Sequence, residues 1–357
     1  MKIEIRPEWL LRKPDGTAVA LPALLRLLTA VRDLGSISRA ALAVGMSYRH
    51  AWGVLRAFEH QFGAVLVEKM RGQGTQLSPV AERLIWADRR IAARLSPVLD
   101  SLASELEREL AEVLGAGAGQ ALRVTASHGF AIAALIAQLQ EQGLDVALKY
   151  RGSIDAVAAL ARGECDLAGF HVPVGPCRQA GAAPYRKWLN PKQHTLIHLA
   201  YRTQGLFVAK GNPKRIAGLA DLLRQGVRFV NRQEGSGTRN LLELLLSRQG
   251  LDCAAISGYD SAEFTHAAVA AYVASGMADV SFGVEAAARR FELDFIPIVG
   301  EEYFLGCEMK TVDEASVGAV REIMLGQRFR AAVNGLAGYQ GGLSGTVLTL
   351  DTLDPGR

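Results

Sequence analysis

Apolar positions in the first hundred residues recur at helical spacing. After a strand pair in the first twenty residues, whose turn chemistry is Pro14-Asp15-Gly16-Thr17, the segment Leu24 to Leu34 predicts a helix. Ser36 and Ser38 can each cap a second helix, whose apolar face is Ala40, Ala41 and Val44 and which Gly45 ends. Ser47 caps a third, in which Ala51, Val54, Leu55 and Phe58 form a buried stripe, with Trp52 assigned to the core. Tyr48, Arg49, His50 and Arg56 are left to project. Two short helices around a glycine turn, the second presenting polar and basic side chains at its start, have the geometry of a helix-turn-helix in a DNA major groove. Val65 to Lys69 and Gln76 to Ser78 then predict two strands, whose connecting loop suits a wing carrying Lys69, Arg71 and Gln73 over the phosphate backbone or minor groove.

From Pro79 to about Leu114 the pattern is one helical stretch, with Ile91, Leu95, Val98, Leu102, Leu106, Leu110 and Val113 at three-to-four spacing. Ser96-Pro97 is expected to interrupt it, because a proline inside a helix costs about 3 kcal/mol. A narrow apolar seam after such a domain predicts pairing with a second copy, as homodimer or tetramer. Gly115 to Gln120 reads as a linker, and beyond it the period changes to alternating strands and helices: strands at 122–126, 145–151 and 166–171, helices at 130–142 and 154–162. A parallel sheet results, with ligands expected beyond the carboxyl ends of its strands, where Ser127-His128, Arg151-Gly152-Ser153 and Gly169-Phe170-His171 fall. A second lobe is expected from strands at 204–213 and 227–231 and a helix at 240–250. Its turn Gly235-Ser236-Gly237-Thr238-Arg239 presents N–H groups, hydroxyls and the positive end of a helix dipole, which favour an anion. Thr265 and His266 open a further helix.

Length adds that 357 residues predict more than one domain. The net charge of +4 conceals a concentration: residues 21 to 94 hold 11 Lys or Arg against 5 Asp or Glu, so the basic excess lies on the segment expected to meet phosphates. A solvated basic face without a partner is the bland alternative. Cys165, Cys177, Cys253 and Cys307 are widely spaced, which fits reduced thiols and argues against zinc. No apolar run reaches membrane-span length and the first residues carry no signal-peptide core, so a cytoplasmic protein with no membrane partner is expected.

Ser36 to Ala41 with Met46-Ser47-Tyr48-Arg49-His50-Ala51-Trp52, then Leu66 to Lys69 and Thr75 to Pro79, resembles the winged helix-turn-helix of ModE-like and LysR-type regulators, the Ser-Tyr-basic run being closer to the ModE-like branch. Asp166 to His171, Arg202 to Leu206, Gly235 to Arg239, Thr265-His266, Ser275 to Asp279 and Gly338-Tyr339 resemble periplasmic-binding-protein-like effector domains, in which two lobes close on a small ligand. The branch with Gly-Ser-Gly-Thr-Arg is similar to molybdate- and tungstate-linked binding domains. The resemblance implies an α/β multi-domain chain: a winged helix-turn-helix at 1–80, a linker or dimerisation helix at 81–114, and a two-lobed type II periplasmic-binding-protein-like domain at 122–357. Lobe I would comprise 122–208 and 298–357, and lobe II 209–297.

The resulting expectation is a transcription regulator that binds double-stranded DNA through Ser36, Ser47, Tyr48, Arg49, His50, Arg56, Lys69, Arg71 and Gln73. Its effector would be a small oxyanion, molybdate or tungstate, held by Ser127, His128, Ser153, His171, Arg202, Ser236, Gly237, Thr238, Arg239, Thr265 and His266. The histidines are too scattered along the chain to propose a metal site, and no catalytic constellation emerges, so neither a cofactor nor an enzymatic activity is expected. The alternative is a molybdenum-cofactor-binding enzyme or carrier that uses the cleft for a phosphorylated pterin.

Overall fold

The computed structural model describes residues 3–13, 16, 18–70, 74–114 and 121–353. Most of the first turn (Pro14, Asp15, Thr17), the wing tip with Arg71 and Gln73, and the linker Gly115 to Gln120 lie outside them. The chain divides into two compact units, residues 6–95 and residues 96–357 together with 1–5.

In the N-terminal unit, β1 (Leu10–Arg12) and β2 (Ala18–Ala20) pair as the expected hairpin, followed by α1 (Pro22–Leu34), α2 (Ile37–Ala43) and α3 (Tyr48–Phe62). Ser36 and Ser47 are the caps of α2 and α3: their hydroxyls accept from Arg39 N at 3.4 Å and His50 N at 3.1 Å. Leu24, Leu27, Leu28 and Val31 of α1 pack with Ile37, Ala40, Ala41, Ala51, Leu55 and Phe58 into one core. The small alanines let three helices meet closely. The wing strands β3 (Val67–Met70) and β4 (Gly74–Leu77) form a two-stranded sheet, tied back by Thr75 N donating to Gly35 O at 2.9 Å.

The helix α4 (Pro79–Val113) runs unbroken for 35 residues through Pro97. The expected interruption is therefore not present. One missing N–H leaves the rest of the ladder intact, and Ser101 Oγ donates to Pro97 O at 2.8 Å. The division between the units nonetheless falls between Leu95 and Ser96, immediately before Ser96-Pro97.

The larger unit is built on one ten-stranded sheet. Its elements are β5 (Leu122–Ala126), α5 (Phe130–Glu141), β6 (Val146–Tyr150), α6 (Ser153–Ala161), β7 (Leu167–Pro173), α7 (Arg178–Ala182), β8 (His194–Val208), β9 (Phe229–Arg232), α8 (Gly237–Arg248), β10 (Ala262–Glu263), α9 (His266–Ala274), β11 (Val280–Val284), α10 (Glu285–Arg290), β12 (Asp294–Glu308), α11 (Ala315–Leu325), α12 (Gln327–Asn334), β13 (Tyr339–Gln340) and β14 (Val347–Leu348). Strand order is β10-β9-β11-β8-β12-β7-β5-β6, with β13 and β14 also on β8. The two 15-residue strands β8 and β12 are antiparallel and common to both lobes: β7 flanks the half of β12 around Glu301 to Gly306, and β11 flanks the half of β8 around Gln204 to Val208. Sequence reading places the start of β8 at Gln204, ten residues late, because its first half is buried on both faces and carries no alternation. The helix α8 begins at Gly237 rather than Asn240.

Each lobe has its own core: Phe170, Val172, Tyr185 and Phe304 in lobe I, and Leu206, Phe229, Leu242, Leu246 and Phe282 in lobe II. The edge strand β6 is covered by α4, whose Ser104 and Ser101 hydroxyls accept from Leu148 N at 3.1 Å and Tyr150 N at 3.4 Å. Leu95, Val98, Leu102 and Leu106 of the same helix remain exposed. Among the described residues, no helix is long and apolar enough to cross a membrane.

Gly74 combines a φ of +83° with a position where a Cβ would meet Gly35 O at 2.5 Å. Gly74→Ala should therefore destabilise the N-terminal unit by about 1 to 3 kcal/mol, read as an earlier unfolding transition in urea with the transition of the larger unit unmoved.

Candidate ligand cleft and nucleic-acid surface

Of the expected contact residues in the N-terminal unit, Tyr48, Arg49, His50 and Arg56 lie on α3. Tyr48, Arg49, His50 and Arg56 are exposed, and Lys69 of β3 reaches over the Trp52 ring at 5.6 Å, with the Arg56 guanidinium at 5.8 Å. Trp52 is half-buried: it packs on the core while serving as the platform on which two cations rest. Each cation–π contact is worth about 0.5 to 1 kcal/mol, enough to orient a side chain while leaving its N–H groups available to phosphates. Ser36 and Ser47 spend their acceptors on helix caps, so they position the helices.

In the larger unit the carboxyl ends of β5, β7 and β9 and the starts of α6, α8 and α9 meet the middle of β8 and β12. Arg202 and Glu301 are partners in register on these two strands, each 2% exposed, and Glu301 Oε2 accepts from Arg202 Nη2 at 2.6 Å, Arg202 Nε at 2.8 Å and Gln204 Nε2 at 2.7 Å. Burial works against the Arg202 charge, but Glu301 holds its guanidinium above the ordinary value. The polar chain continues into lobe II through Thr238 Oγ1, 3.5 Å from Gln204 Nε2 and 3.5 Å from His266 Nε2. In lobe I, Ser127 Oγ and His171 Nδ1 lie 3.0 Å apart, and the His171 ring packs on Tyr303 with centroids 3.8 Å apart. The lobes approach closely at Gly237, where a Cβ would stand 3.4 Å from Ser153 Oγ.

Several buried polar atoms around this junction have no hydrogen-bond partner: Ser153 Oγ, His171 Nε2, His266 Nδ1, Arg202 Nη1 and Arg232 Nε. Arg232, at the end of β9, donates Nη2 to Phe264 O at 2.8 Å. Burial, and then the Arg202 charge, push its guanidinium down to about 9, so at neutral pH it is a cation that gains when an anion approaches. Arg232 acts on all three histidines and Arg202 on two of them. Burial, then Arg232 and Arg290, lower His128 to about 4; burial, then Arg202 and Arg232, hold His171 well below its usual value; and burial, Arg232, Arg202, His171 and His128 do so for His266. Glu263 sits in register beside Arg232 on β10, so the shell is nearly balanced in charge.

Of the candidates, Ser127, His128, Ser153, His171, Arg202, Gly237, Thr238 and His266 come together here. The histidines, dispersed in sequence, converge by topology, although among the described residues no group of His, Cys, Asp and Glu has a metal-holding arrangement. Ser236 and Thr265 accept from Arg239 N and Ala268 N as caps of α8 and α9. The Arg239 side chain goes elsewhere: Nε donates to Glu243 Oε1 at 3.0 Å and the guanidinium stacks on Tyr259 at 4.9 Å. The helix places position 243 one turn further along the same face, and Glu243 captures the arginine. Arg232, Gln204 and Glu301 are missing from the sequence expectation. The available signal was charge inside apolar strands, since a buried arginine or glutamate demands a partner.

A model described as PBP superfamily domain matches residues 136–325, and one described as bacterial regulatory helix-turn-helix protein, lysR family, matches residues 22–82. The chain is 36% identical over 200 residues to the uncharacterized protein YvgK of Bacillus subtilis (strain 168), covering 56% of this chain and 64% of that protein. It is 37% identical over 109 residues to the molybdenum-pterin-binding protein MopB of Rhodobacter capsulatus, covering 29% and 39% respectively. The molybdenum transport protein ModE of Azotobacter vinelandii is 33% identical over 95 residues, covering 26% and 35%. The chain thus spans less than two thirds of the length of each.

The depressed histidines set an acid limit on stability. Each is proton-free in the fold and takes up a proton on unfolding below its ordinary pKa near 6.5, so acid favours the unfolded state. Melting of the larger unit should be flat above about pH 7 and should fall by several degrees as pH drops through the window from about 6.5 to 4. His128→Gln should flatten part of that slope in a differential scanning series.

Proposed function

The chain belongs to the PBP superfamily and carries a bacterial regulatory helix-turn-helix of the lysR family, and on that premise we propose that it is a ligand-responsive transcription regulator. It binds double-stranded DNA through α3 and the wing, and its cleft takes a small oxyanion, molybdate or tungstate being favoured. The observation that carries the effector reading is the set of donors left without acceptors at the junction of the lobes, Arg232 Nε and Arg202 Nη1 beside Ser153, His171 and His266. An unmade buried hydrogen bond costs about 1 to 3 kcal/mol, and an oxyanion supplies several acceptors at one point. The names of two relatives, a molybdenum-pterin-binding protein and a molybdenum transport protein, favour molybdenum chemistry among the oxyanions.

On DNA, Arg49 and His50 stand in the first turn of α3, where they reach base edges or flanking phosphates. Self-association runs along α4, whose exposed Leu95, Val98, Leu102 and Leu106 form a stripe that a second copy of the helix covers, giving a homodimer or tetramer that matches a two-half-site operator.

Calorimetry with molybdate and tungstate tests the effector. Arg232→Ala should lose most of the affinity, whereas Arg239→Ala, whose guanidinium belongs to Glu243 and Tyr259, should change it by no more than about twofold. The opposite ranking would return the anion to Arg239 in the first turn of α8. For DNA, Arg49→Ala should cost about 1 to 3 kcal/mol of specific binding with the fold intact, measured by fluorescence anisotropy on fragments of the chain's own promoter region. Val98→Glu with Leu102→Glu should give monomers in sedimentation and weaken binding to a two-half-site operator far more than to a half-site.

A further inference from the structure

Beside the donor cluster lies a compartment that a bare oxyanion has no use for. A cavity of about 280 Å³ opens between the lobes, walled by Ile154, Pro173 and Ala180 on one side and by Leu241 and Leu244 of α8 on the other. A water occupies roughly 30 Å³ in the liquid, and pockets for small organic ligands start at about 300 Å³, so the space has the scale of an organic group. It is continuous with the donor cluster, because His171, whose Nε2 lacks a partner, and Gly237, against which Ser153 Oγ lies, belong to both. Hydrated oxyanions gain nothing from leucine, isoleucine and proline walls, which reward a group that prefers to leave water. Glu301 also lines the cavity, so a second negative charge there would be repelled.

We propose that the effector is an oxyanion carried on a small apolar or aromatic, uncharged organic body: the oxyanion meets Arg232, His171 and Ser153, and the body lies between α8 and the segment running from Pro173 to Tyr185. This inference rests on the oxyanion reading of the cleft and narrows it from a free ion to an ester or conjugate.

The test is calorimetry on the full chain with four probes: inorganic phosphate, molybdate, phenyl phosphate and phenol. Phenyl phosphate should bind about tenfold tighter than inorganic phosphate, or better, because the ring is buried in the compartment. Ala180→Trp, at an exposed position on the cavity's mouth, should remove that advantage and leave inorganic phosphate and molybdate unchanged. Phenyl phosphate binding no tighter than inorganic phosphate, or an advantage that survives Ala180→Trp, overturns the organic body and leaves the oxyanion reading standing. Phenol binding as tightly as phenyl phosphate, or no oxyanion-bearing probe binding at all, overturns the oxyanion reading and this inference with it.

Discussion

The larger unit depends on one buried ion pair. Arg202 and Glu301 face each other on β8 and β12, the two strands that both lobes share, with Gln204 on the same carboxylate oxygen. Removing one member of such a pair leaves an uncompensated charge in the interior, at about 3 to 5 kcal/mol, so the geometry at this crossing is strongly held. Everything around it follows from what the pair leaves undone. One carboxylate oxygen takes three donors, and Arg202 Nη1 and Arg232 Nε stay without a partner at a junction that also holds imidazoles and hydroxyls.

The N-terminal unit uses a smaller version of the same economy. Its helices are fixed by two serine caps and an alanine-rich core, so the exposed side of α3 contributes little to stability and is available for contacts. Trp52 joins the two roles, since one part of the ring packs on the core while Arg56 and Lys69 rest on it. A cation held by a ring keeps its hydrogens for a partner, whereas a cation held by a carboxylate does not. Arg239 illustrates the second case: Glu243 accepts from its Nε, and its guanidinium stacks on Tyr259.

Much of this was legible in the sequence. The caps Ser36 and Ser47, the stripe through Ala51, Leu55 and Phe58, the wing strands and the alternation beginning at Leu122 are local signals, set by side-chain period and turn chemistry within a few residues. Polar turns at Ser127, Ser153 and His171 were legible because a parallel sheet brings equivalent strand ends together whatever lies between them. Pro97 does not break α4 because it removes a single N–H from the ladder of a 35-residue helix, which the local sequence around Ser96-Pro97 does not reveal.

Tertiary structure alone decided which charges serve the cleft. The strand half from His194 to Thr203 shows no period, since it is buried on both faces, and so the sequence cannot announce that Arg202 will stand across from Glu301, 99 residues away. Nor can it choose between Arg232 and Arg239, which are seven positions apart. A β-strand end delivers the first to the junction of the lobes, and a helix face with Glu243 one turn on draws the second away. Period and turn chemistry act over a few residues and determine the elements. Pairing of buried charges acts through the desolvated interior, and it is settled only when distant strands come into register.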